Sequence, residues 1–363
     1  MNNEKKWREN LDKNSEAYKF ATSSNKVCRS LAGPGTGKTF SLMKKIGYLL
    51  EERSIDPQKI LIITFTNAAA KDIKKELNSL DITGAKKIHA GTLHSFCLGL
   101  LMRDDVLSMI ERYPRPMLKL EINSFLSDIN YDKKFGNKKE TERLLIDYES
   151  AWARLQFDDP GFAQTENDEL FINELTWWMK YHNAMTLGEI IPFSLKFLMQ
   201  NPQHPIFDKF SYILVDEYQD LNKAEQVVID LIAKNANLTV VGDDNQSIYG
   251  FKNAHPEGII EFPNSHKNCK DFTMKECRRC PRRVVQIANN LISQDPKYNR
   301  QSKQVLEPFD KNEEGIIDVV QWRSVKSEIE GLAKSLKALL QKHMDEILPQ
   351  DVLVLNPSRK IAQ

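Results

Sequence analysis

The sequence contains little cysteine and no excess of charge of either sign. Five cysteines among 363 residues are too few, and odd in number, for a disulfide framework, and they fit a reducing cytoplasm. The 51 Lys and Arg residues are balanced by 50 Asp and Glu residues, which excludes a globally basic, histone-like nucleic-acid binder. No apolar run approaches the roughly 18 residues of a membrane span, and the first residues lack the apolar segment of a signal peptide. We therefore expect a cytoplasmic protein with no membrane partner.

The pattern of strands and helices predicts an α/β fold. Hydrophobic residues make up 41% and charged residues 28%, which is typical of a globular protein. Short β-branched runs alternate with helical stretches, which indicates a parallel sheet covered by helices. Residues 99–200 are mainly helical, and Trp152, Trp177 and Trp178 are expected in the core of that insertion. Predicted strands cover residues 27–31, 59–65, 212–216, 238–242, 315–322 and 351–355, and predicted helices include 40–52, 68–80 and 326–342.

The last part of the sequence predicts only a β-α-β fragment. Two parallel strands leave an open sheet edge and too little sheet for a stable core. We therefore expect that the natural chain continues or that a partner completes this sheet.

A glycine-rich segment predicts a phosphate site. Residues 32–39 read Ala-Gly-Pro-Gly-Thr-Gly-Lys-Thr, between a predicted strand and a predicted helix. Gly33, Gly35 and Gly37 allow backbone N–H groups to surround a phosphate at the start of the helix. Lys38 would reach the β- and γ-phosphates, and the Thr39 hydroxyl would bind Mg²⁺. The alternative is an ordinary Gly/Pro turn, which the strand, glycines, Lys and Thr in register disfavour.

Two carboxylates follow the apolar strand at residues 212–215. Asp216 suits the Mg²⁺ shell, and Glu217 could take a proton from an attacking water. Acids after a strand are usually a solvated turn, but the glycine-rich segment makes the catalytic interpretation the stronger one.

Several motifs stand in a fixed order along the chain. Residues 64–70 read Thr-Phe-Thr-Asn-Ala-Ala-Ala, 91–95 Gly-Thr-Leu-His-Ser, and 216–220 Asp-Glu-Tyr-Gln-Asp. Residues 242–251 read Gly-Asp-Asp-Asn-Gln-Ser-Ile-Tyr-Gly-Phe, and 275–279 Lys-Glu-Cys-Arg-Arg. With the phosphate loop, these motifs resemble superfamily 1 DNA helicases of the UvrD/Rep/PcrA type.

This resemblance implies a RecA-like P-loop NTPase fold and assigns roles to residues. Residues 1–98 and 201–279 would form the first motor domain, 99–200 a helical insertion, and 280–363 the start of a second motor domain. ATP and Mg²⁺ would be the cofactors, with Gln246 at the γ-phosphate and Arg279 stabilising transition-state charge. Single-stranded DNA would run along Phe65, Asn67, Thr92, His94, Tyr249 and Phe251. Considered alone, Phe65 is better explained by burial at a strand end, and His94 by an ordinary loop histidine.

The sequence departs from the family at the positions that would surround the adenine and also in its last part. Phe40 follows the phosphate-loop threonine in place of an arginine, Arg278 replaces a stacking tyrosine, and the early glutamine is missing near residue 15. Phe40 and Arg278 could rebuild the stack with exchanged chemistry, or the adenine could be recognised loosely. The later helicase motifs are absent, so we expect the chain as printed to bind nucleotide but to translocate poorly.

Four residues in the last third of the sequence are candidate zinc ligands. His266, Cys269, Cys277 and Cys280 have plausible types for a tetrahedral site. The last two overlap a helicase motif, however, and so we do not expect zinc.

The leading hypothesis is an ATP-dependent DNA helicase or translocase, and the family resemblance implies 3′→5′ polarity. The alternative is a nucleotide-controlled DNA-sensing subunit that regulates a partner nuclease, because the compact chain also resembles helicase subunits of antiphage systems such as Gabija. A scaffold that binds nucleotide without hydrolysis is disfavoured by the complete set of predicted catalytic residues.

Overall fold

The computed structural model describes residues 5–156, 163–294, 305–344 and 346–356. Contacts divide the chain into two compact units, Met1–Glu314 and Gly315–Gln363, and each is described by itself. The limits predicted for the two motor domains and the insertion stay predictions.

The first unit is built around a six-stranded parallel sheet. Its strands are β1 (Val27–Ala32), β2 (Ile60–Thr64), β3 (His89–Thr92), β4 (Tyr212–Val215), β5 (Asn237–Gly242) and β6 (Cys269–Met274). They lie in the order β3-β2-β4-β5-β1-β6, and all neighbours are parallel. This confirms the predicted α/β class and fits a RecA-like P-loop domain. A short parallel pair, β7 (Glu276–Cys277) and β8 (Glu307–Pro308), lies apart from this sheet.

Helices connect and cover these strands. In chain order they are α1 (Glu16–Thr22), α2 (Lys38–Glu51), α3 (Asn67–Ser79), α4 (Leu93–Leu101), α5 (Asp104–Ile110), α6 (Lys119–Asp128), α7 (Lys138–Arg154), α8 (Glu166–Tyr181), α9 (Leu187–Gln200), α10 (Lys223–Ile232), α11 (Glu257–Ile260), α12 (Phe262–Ser265) and α13 (Arg282–Ser293). Among the described residues, no helix combines the length and the apolar character needed to cross a membrane.

The central strands β2, β4 and β5 are mostly apolar, and their residues are buried on both faces of the sheet. In β2, Ile60 and Ile62 join a cluster with residues of α1, α2 and α3. Leu61 and Ile63 point to the other face and join a cluster with residues of α4, α9 and α10. Burial of each such side chain stabilises the fold by about 1.5–3 kcal/mol. The two helix layers therefore hold the carboxyl ends of the strands in fixed positions.

The insertion has a helical core of its own. Trp178 packs edge to face on Phe125, with 5.2 Å between ring centroids, and donates from Nε1 to Asp128 at 3.0 Å. Trp152 is buried as predicted, but the prediction for Trp177 was wrong, since its side chain is 61% exposed. Adjacent helical residues point about 100° apart, so Trp177 and Trp178 cannot face the same core.

The second unit contains α14 (Val325–Lys342), close to the predicted helix, with Ser324 as its N-cap. The strands predicted at 315–322 and 351–355 were wrong: residues 315–322 and 352–355 form no strand, and Asp351 ends a 3₁₀ turn. Val319 is 92% exposed and Leu353 is 80% exposed. A strand needs a hydrogen-bonded neighbour, and no described residue of this unit supplies one.

Candidate functional site

The glycine-rich loop lies between β1 and α2, as the sequence predicts. Gly35 (φ 71°) and Gly37 (φ 89°) have left-handed backbone conformations, which glycine adopts without strain. Gly37 is the N-cap of α2, and Lys38 and Thr39 form the first turn of that helix. The Thr36 hydroxyl donates to the Gly33 carbonyl at 2.8 Å and closes the turn. The loop therefore places backbone N–H groups at a helix N-terminus, a geometry that suits an anion.

Lys38, Glu217 and Gln246 meet at the carboxyl end of the sheet. Lys38 Nζ donates to Glu217 Oε2 at 2.7 Å and to Gln246 Oε1 at 3.5 Å. Glu217 follows β4 with a left-handed backbone (φ 53°), which turns its side chain into the site. The structure thus brings together Lys38 and Gln246, which are predicted to contact phosphate, and Glu217, which is predicted to take a proton from the attacking water.

A second hydrogen-bonded chain joins the loops after β4 and β5. Gln219 donates from Nε2 to Glu217 Oε2 at 2.9 Å and accepts from the Asp243 backbone N–H at 3.0 Å. Asp243 Oδ2 in turn accepts from Gln246 Nε2 at 2.8 Å. The motifs assign no separate role to Gln219 and Asp243. Their position soon after an apolar strand is the signal in the sequence, and the structure shows that both are buried.

Two carboxyl groups near this site, those of Asp216 and Asp220, have raised pKa values. Burial, and then the Glu217 charge, raises the pKa of Asp216 to about 6, with Lys38 opposing the shift. Burial and Glu217 likewise raise the pKa of Asp220 to about 6, and Asp220 Oδ1 is buried without a hydrogen-bond partner. Crowded carboxylate oxygens of this kind fit a hard divalent cation such as Mg²⁺. Among the described residues no group of three His, Cys, Asp or Glu side chains could hold a metal, so nucleotide and water oxygens would supply further ligands.

Phe65, Tyr249 and Phe251 form a row of aromatic rings, which we call the aromatic row. The centroids of Phe65 and Tyr249 are 4.9 Å apart, and those of Tyr249 and Phe251 are 5.8 Å apart. Lys252 Nζ lies 5.1 Å from the Phe65 centroid and 5.2 Å from that of Tyr249. Phe65 also packs on the core, so burial explains part of its position, whereas Phe251 is 78% exposed. Phe65 and Tyr249 are half-buried, and partly exposed flat rings beside a cation suit stacking on nucleobases.

The other residues predicted to contact DNA have mixed surroundings. Asn67 is exposed at the start of α3. The Thr92 hydroxyl is nearly buried and accepts from the Ser95 backbone N–H at 3.2 Å, which caps α4. His94 Nδ1 lies 3.4 Å from Glu225 Oε1, and burial together with Lys252 lowers the pKa of His94. Their contact with DNA stays a prediction.

The arginine motif lies against the glycine-rich loop. The Arg278 backbone N–H donates to the Gly35 carbonyl at 2.9 Å, and a Cβ placed at Gly35 would be 2.7 Å from Arg279 Cβ. The Arg278 guanidinium lies over the Phe309 ring at 4.7 Å. Phe40 has the Lys44 ammonium 5.1 Å from its ring centroid. Arg278 and Phe40 thus each have another partner.

The four candidate zinc residues do not form one group. His266 stacks on Phe262 and lies 3.3 Å from Asp230, which raises the pKa of His266. The Cys269 thiol lies 3.8 Å from Asp271, while Cys277 and Cys280 adjoin each other elsewhere.

Comparisons with known proteins identify the family. The UvrD/REP helicase N-terminal domain matches residues 13–267. The ATP-dependent DNA helicase PcrA of Staphylococcus epidermidis is 32% identical over 283 residues, 75% of this chain and 38% of that protein. PcrA of Staphylococcus aureus is 31% identical over 272 residues, 72% of this chain and 37% of that protein. The chain thus spans less than two fifths of the length of these relatives. It belongs to the UvrD/PcrA type of superfamily 1 DNA helicases.

Proposed function

We propose that the chain hydrolyses ATP in response to single-stranded DNA and acts in a helicase or translocase that moves 3′→5′. The main support for this proposal is the contact of Lys38 with Glu217 and Gln246 at the carboxyl end of the sheet. Only three positions after Gln246 comes Tyr249 of the aromatic row, so one loop reaches both the phosphate site and the expected DNA surface. The 3′→5′ polarity rests on the family resemblance alone.

The residues of the nucleotide site would divide the work as follows. The N–H groups of the glycine-rich loop and the Lys38 ammonium bind the phosphates. Thr39 and Asp216 would hold Mg²⁺, which when bound neutralises charge on the phosphate oxygens. When the Lys38 ammonium turns to phosphate, Glu217 loses its ion pair and its carboxylate becomes available to take a proton from water. Arg279, whose Cβ lies beside Gly35, would add positive charge to the site.

The aromatic row would bind the single strand without reading its sequence. Every base has a flat face, so stacking is sequence-tolerant and contributes about 1–3 kcal/mol per base. Lys252 adds a positive charge beside Phe65 and Tyr249 that suits the phosphate backbone. A local binding surface of this kind is compatible with a net charge of only +1.

Coupling between the two sites would run through Gln246. Its side chain contacts both Lys38 and Asp243, and its backbone belongs to the loop that carries Tyr249 and Phe251. A shift of the Gln246 side chain toward a γ-phosphate would change the conformation of this loop, and thereby the spacing of the Tyr249 and Phe251 rings. Nothing among the described residues favours the alternative of a sensor for a partner nuclease, which stays a hypothesis.

The test measures phosphate release from ATP with and without single-stranded DNA. We expect DNA to stimulate hydrolysis, and Glu217→Gln to abolish turnover while nucleotide binding remains. The matched control is Glu16→Gln, which removes an exposed carboxylate of α1 and should leave hydrolysis unchanged. Normal hydrolysis by Glu217→Gln would overturn the assignment of the base, and no DNA stimulation in the wild type would overturn the function.

A further inference from the structure

Two cysteines frame the arginine motif in the spacing Cys-Arg-Arg-Cys. Cys277 ends β7, and Cys280 precedes Pro281, the N-cap of α13. Asn312 Nδ2 donates to the Cys277 carbonyl at 2.6 Å and to the Cys280 carbonyl at 2.9 Å. One side chain therefore holds both ends of this four-residue segment.

The shared Asn312 amide brings the two cysteines of this segment together through their carbonyls. Burial, and then the neighbouring Cys277, raises the pKa of the Cys280 thiol. Cys277 is fully buried, whereas Cys280 is half-buried. Two cysteines separated by two residues, before a helix, have the spacing found in thiol–disulfide exchange proteins.

The same segment lies directly on the phosphate loop. A Cβ placed at Gly35 would be 2.9 Å from Cys277 Sγ, so the sulfur occupies the space next to that glycine. The Arg278 backbone also bonds to Gly35, and Arg279 lies between the two cysteines. A movement of Cys277 Sγ would therefore displace the glycine-rich loop and Arg279.

We propose that Cys277 and Cys280 are a redox modification site. A small-molecule disulfide such as glutathione disulfide oxidises the two thiols to a reversible intrachain disulfide, which changes the shape of the glycine-rich loop. The half-buried Cys280 thiolate attacks one glutathione sulfur and releases a glutathione thiolate, which takes up the proton lost by Cys280. The Cys277 thiolate then attacks the Cys280 sulfur of the mixed disulfide. The second glutathione thiolate leaves with the proton from Cys277, and the two electrons lost by the cysteines reduce glutathione disulfide.

The disulfide brings the sulfurs to about 2.05 Å, closer than two sulfur atoms that are not bonded can approach. Cys277 Sγ must then move relative to Gly35, and Arg279 moves with the shortened segment. This consequence rests on the proposed function, because it assumes that the loop binds nucleotide phosphates. Loss of one charge-assisted hydrogen bond weakens nucleotide binding by about tenfold.

The test incubates the purified protein with glutathione disulfide, blocks free thiols after unfolding and digests with trypsin without reduction. Trypsin cleaves after Arg278 and Arg279, so residues 276–278 and 280–282 should appear as two peptides joined only by the disulfide. Reduction with dithiothreitol should separate them. Two blocked thiols, or a lasting glutathione adduct on Cys280, would overturn the proposal.

Variants separate the site from general oxidation. Cys277→Ser and Cys280→Ser should each prevent the linked peptides, whereas Cys269→Ser, the matched half-buried control, should not. Binding of a fluorescent ATP analogue should weaken about tenfold on oxidation, recover on reduction and stay constant in Cys277→Ser. Unchanged binding by the oxidised wild type would overturn the effect on the loop. Failure of the reduced protein to bind nucleotide would contradict the proposed function and leave the disulfide map intact.

Discussion

Lys38 and Glu217 form an ion pair at 2.7 Å although 179 positions separate them in the chain. The side chain of Lys38 is only 11% exposed, so the pair is shielded from solvent. In this arrangement the Glu217 carboxylate binds the Lys38 ammonium, the group that would bind a nucleotide phosphate under the proposed function. Under the proposed function, a phosphate that binds Lys38 would therefore release Glu217.

Lys38→Ala is expected to weaken nucleotide binding by roughly 10- to 100-fold, because charge-assisted hydrogen bonds contribute about 1.5–3 kcal/mol. Titration with a fluorescent ATP analogue measures the change. Lys74→Ala, which removes an exposed lysine of α3, is the matched control and should bind as the wild type does. Equal affinities of the two variants would show that Lys38 does not contact the phosphates.

Tyr249→Ala is expected to weaken binding of single-stranded DNA by about 1–3 kcal/mol, because one stacking ring of the aromatic row is lost. Tyr249→Phe keeps the ring and should retain most of the affinity. Tyr131→Ala removes a ring that is 91% exposed in the insertion, outside this row, and serves as the control. Fluorescence anisotropy with labelled oligonucleotides gives the affinities, and an equal loss in Tyr249→Phe would rule out stacking.

Glu225 should make stability fall as pH rises. Burial raises the pKa of Glu225 from 4.5 to about 7, so the folded state binds the proton more tightly than the unfolded state. This contribution is fully present below the unfolded pKa and is lost as pH rises through the folded pKa. Glu225→Gln keeps an acceptor for the Asn222 N–H and should be stabilising at about pH 8, by at most about 3 kcal/mol, and nearly neutral at about pH 5.

Urea unfolding at the two pH values measures this difference. His94→Gln removes the neighbouring imidazole and should keep the same pH dependence if Glu225 is the titrating group. A pH dependence that survives in Glu225→Gln would assign it to another residue.

Asp271→Ala is expected to destabilise the first unit by about 1–3 kcal/mol, because it leaves the buried Arg29 guanidinium partly unpaired. Arg29 on β1 donates from Nε and Nη2 to Asp271 on β6 at 2.8 and 2.9 Å. The matched control is Asp147→Ala, which breaks an exposed Arg–Asp pair on α7 and should change the free energy of unfolding by less than about 0.5 kcal/mol. Equal effects in urea unfolding would show that burial of Arg29 is not decisive.

Adenine recognition is expected to be loose. Arg278 lies on Phe309 and pairs with Glu276, and Phe40 is 41% exposed, so neither residue has the surroundings of a dedicated base pocket. ATP and GTP should therefore be hydrolysed at similar rates under the same conditions. Strict selection of ATP would contradict this prediction.

Much of the nucleotide site was predictable because its signals are local. The glycines, Lys38 and Thr39 determine a turn and a helix start within a few residues, and the structure begins α2 at Lys38. Strands β1, β2, β4 and β5 end within about two residues of their predicted limits. By contrast, β3 and β6 were missed, since His89–Thr92 and Cys269–Met274 are not apolar enough to stand out.

The sequence by itself determined the α/β class, the family and the types of residue that can bind phosphate and base. Those properties follow from short-range patterns, in which each residue acts through its immediate neighbours. Only the tertiary structure decided that Glu217 pairs with Lys38, that Phe65 meets Tyr249 and that Cys277 lies on Gly35. These contacts depend on strand order and on the packing of both faces of the sheet. The strands predicted at 315–322 and 351–355 do not form for the same reason. An apolar run becomes a strand only where a neighbouring strand completes its hydrogen bonds.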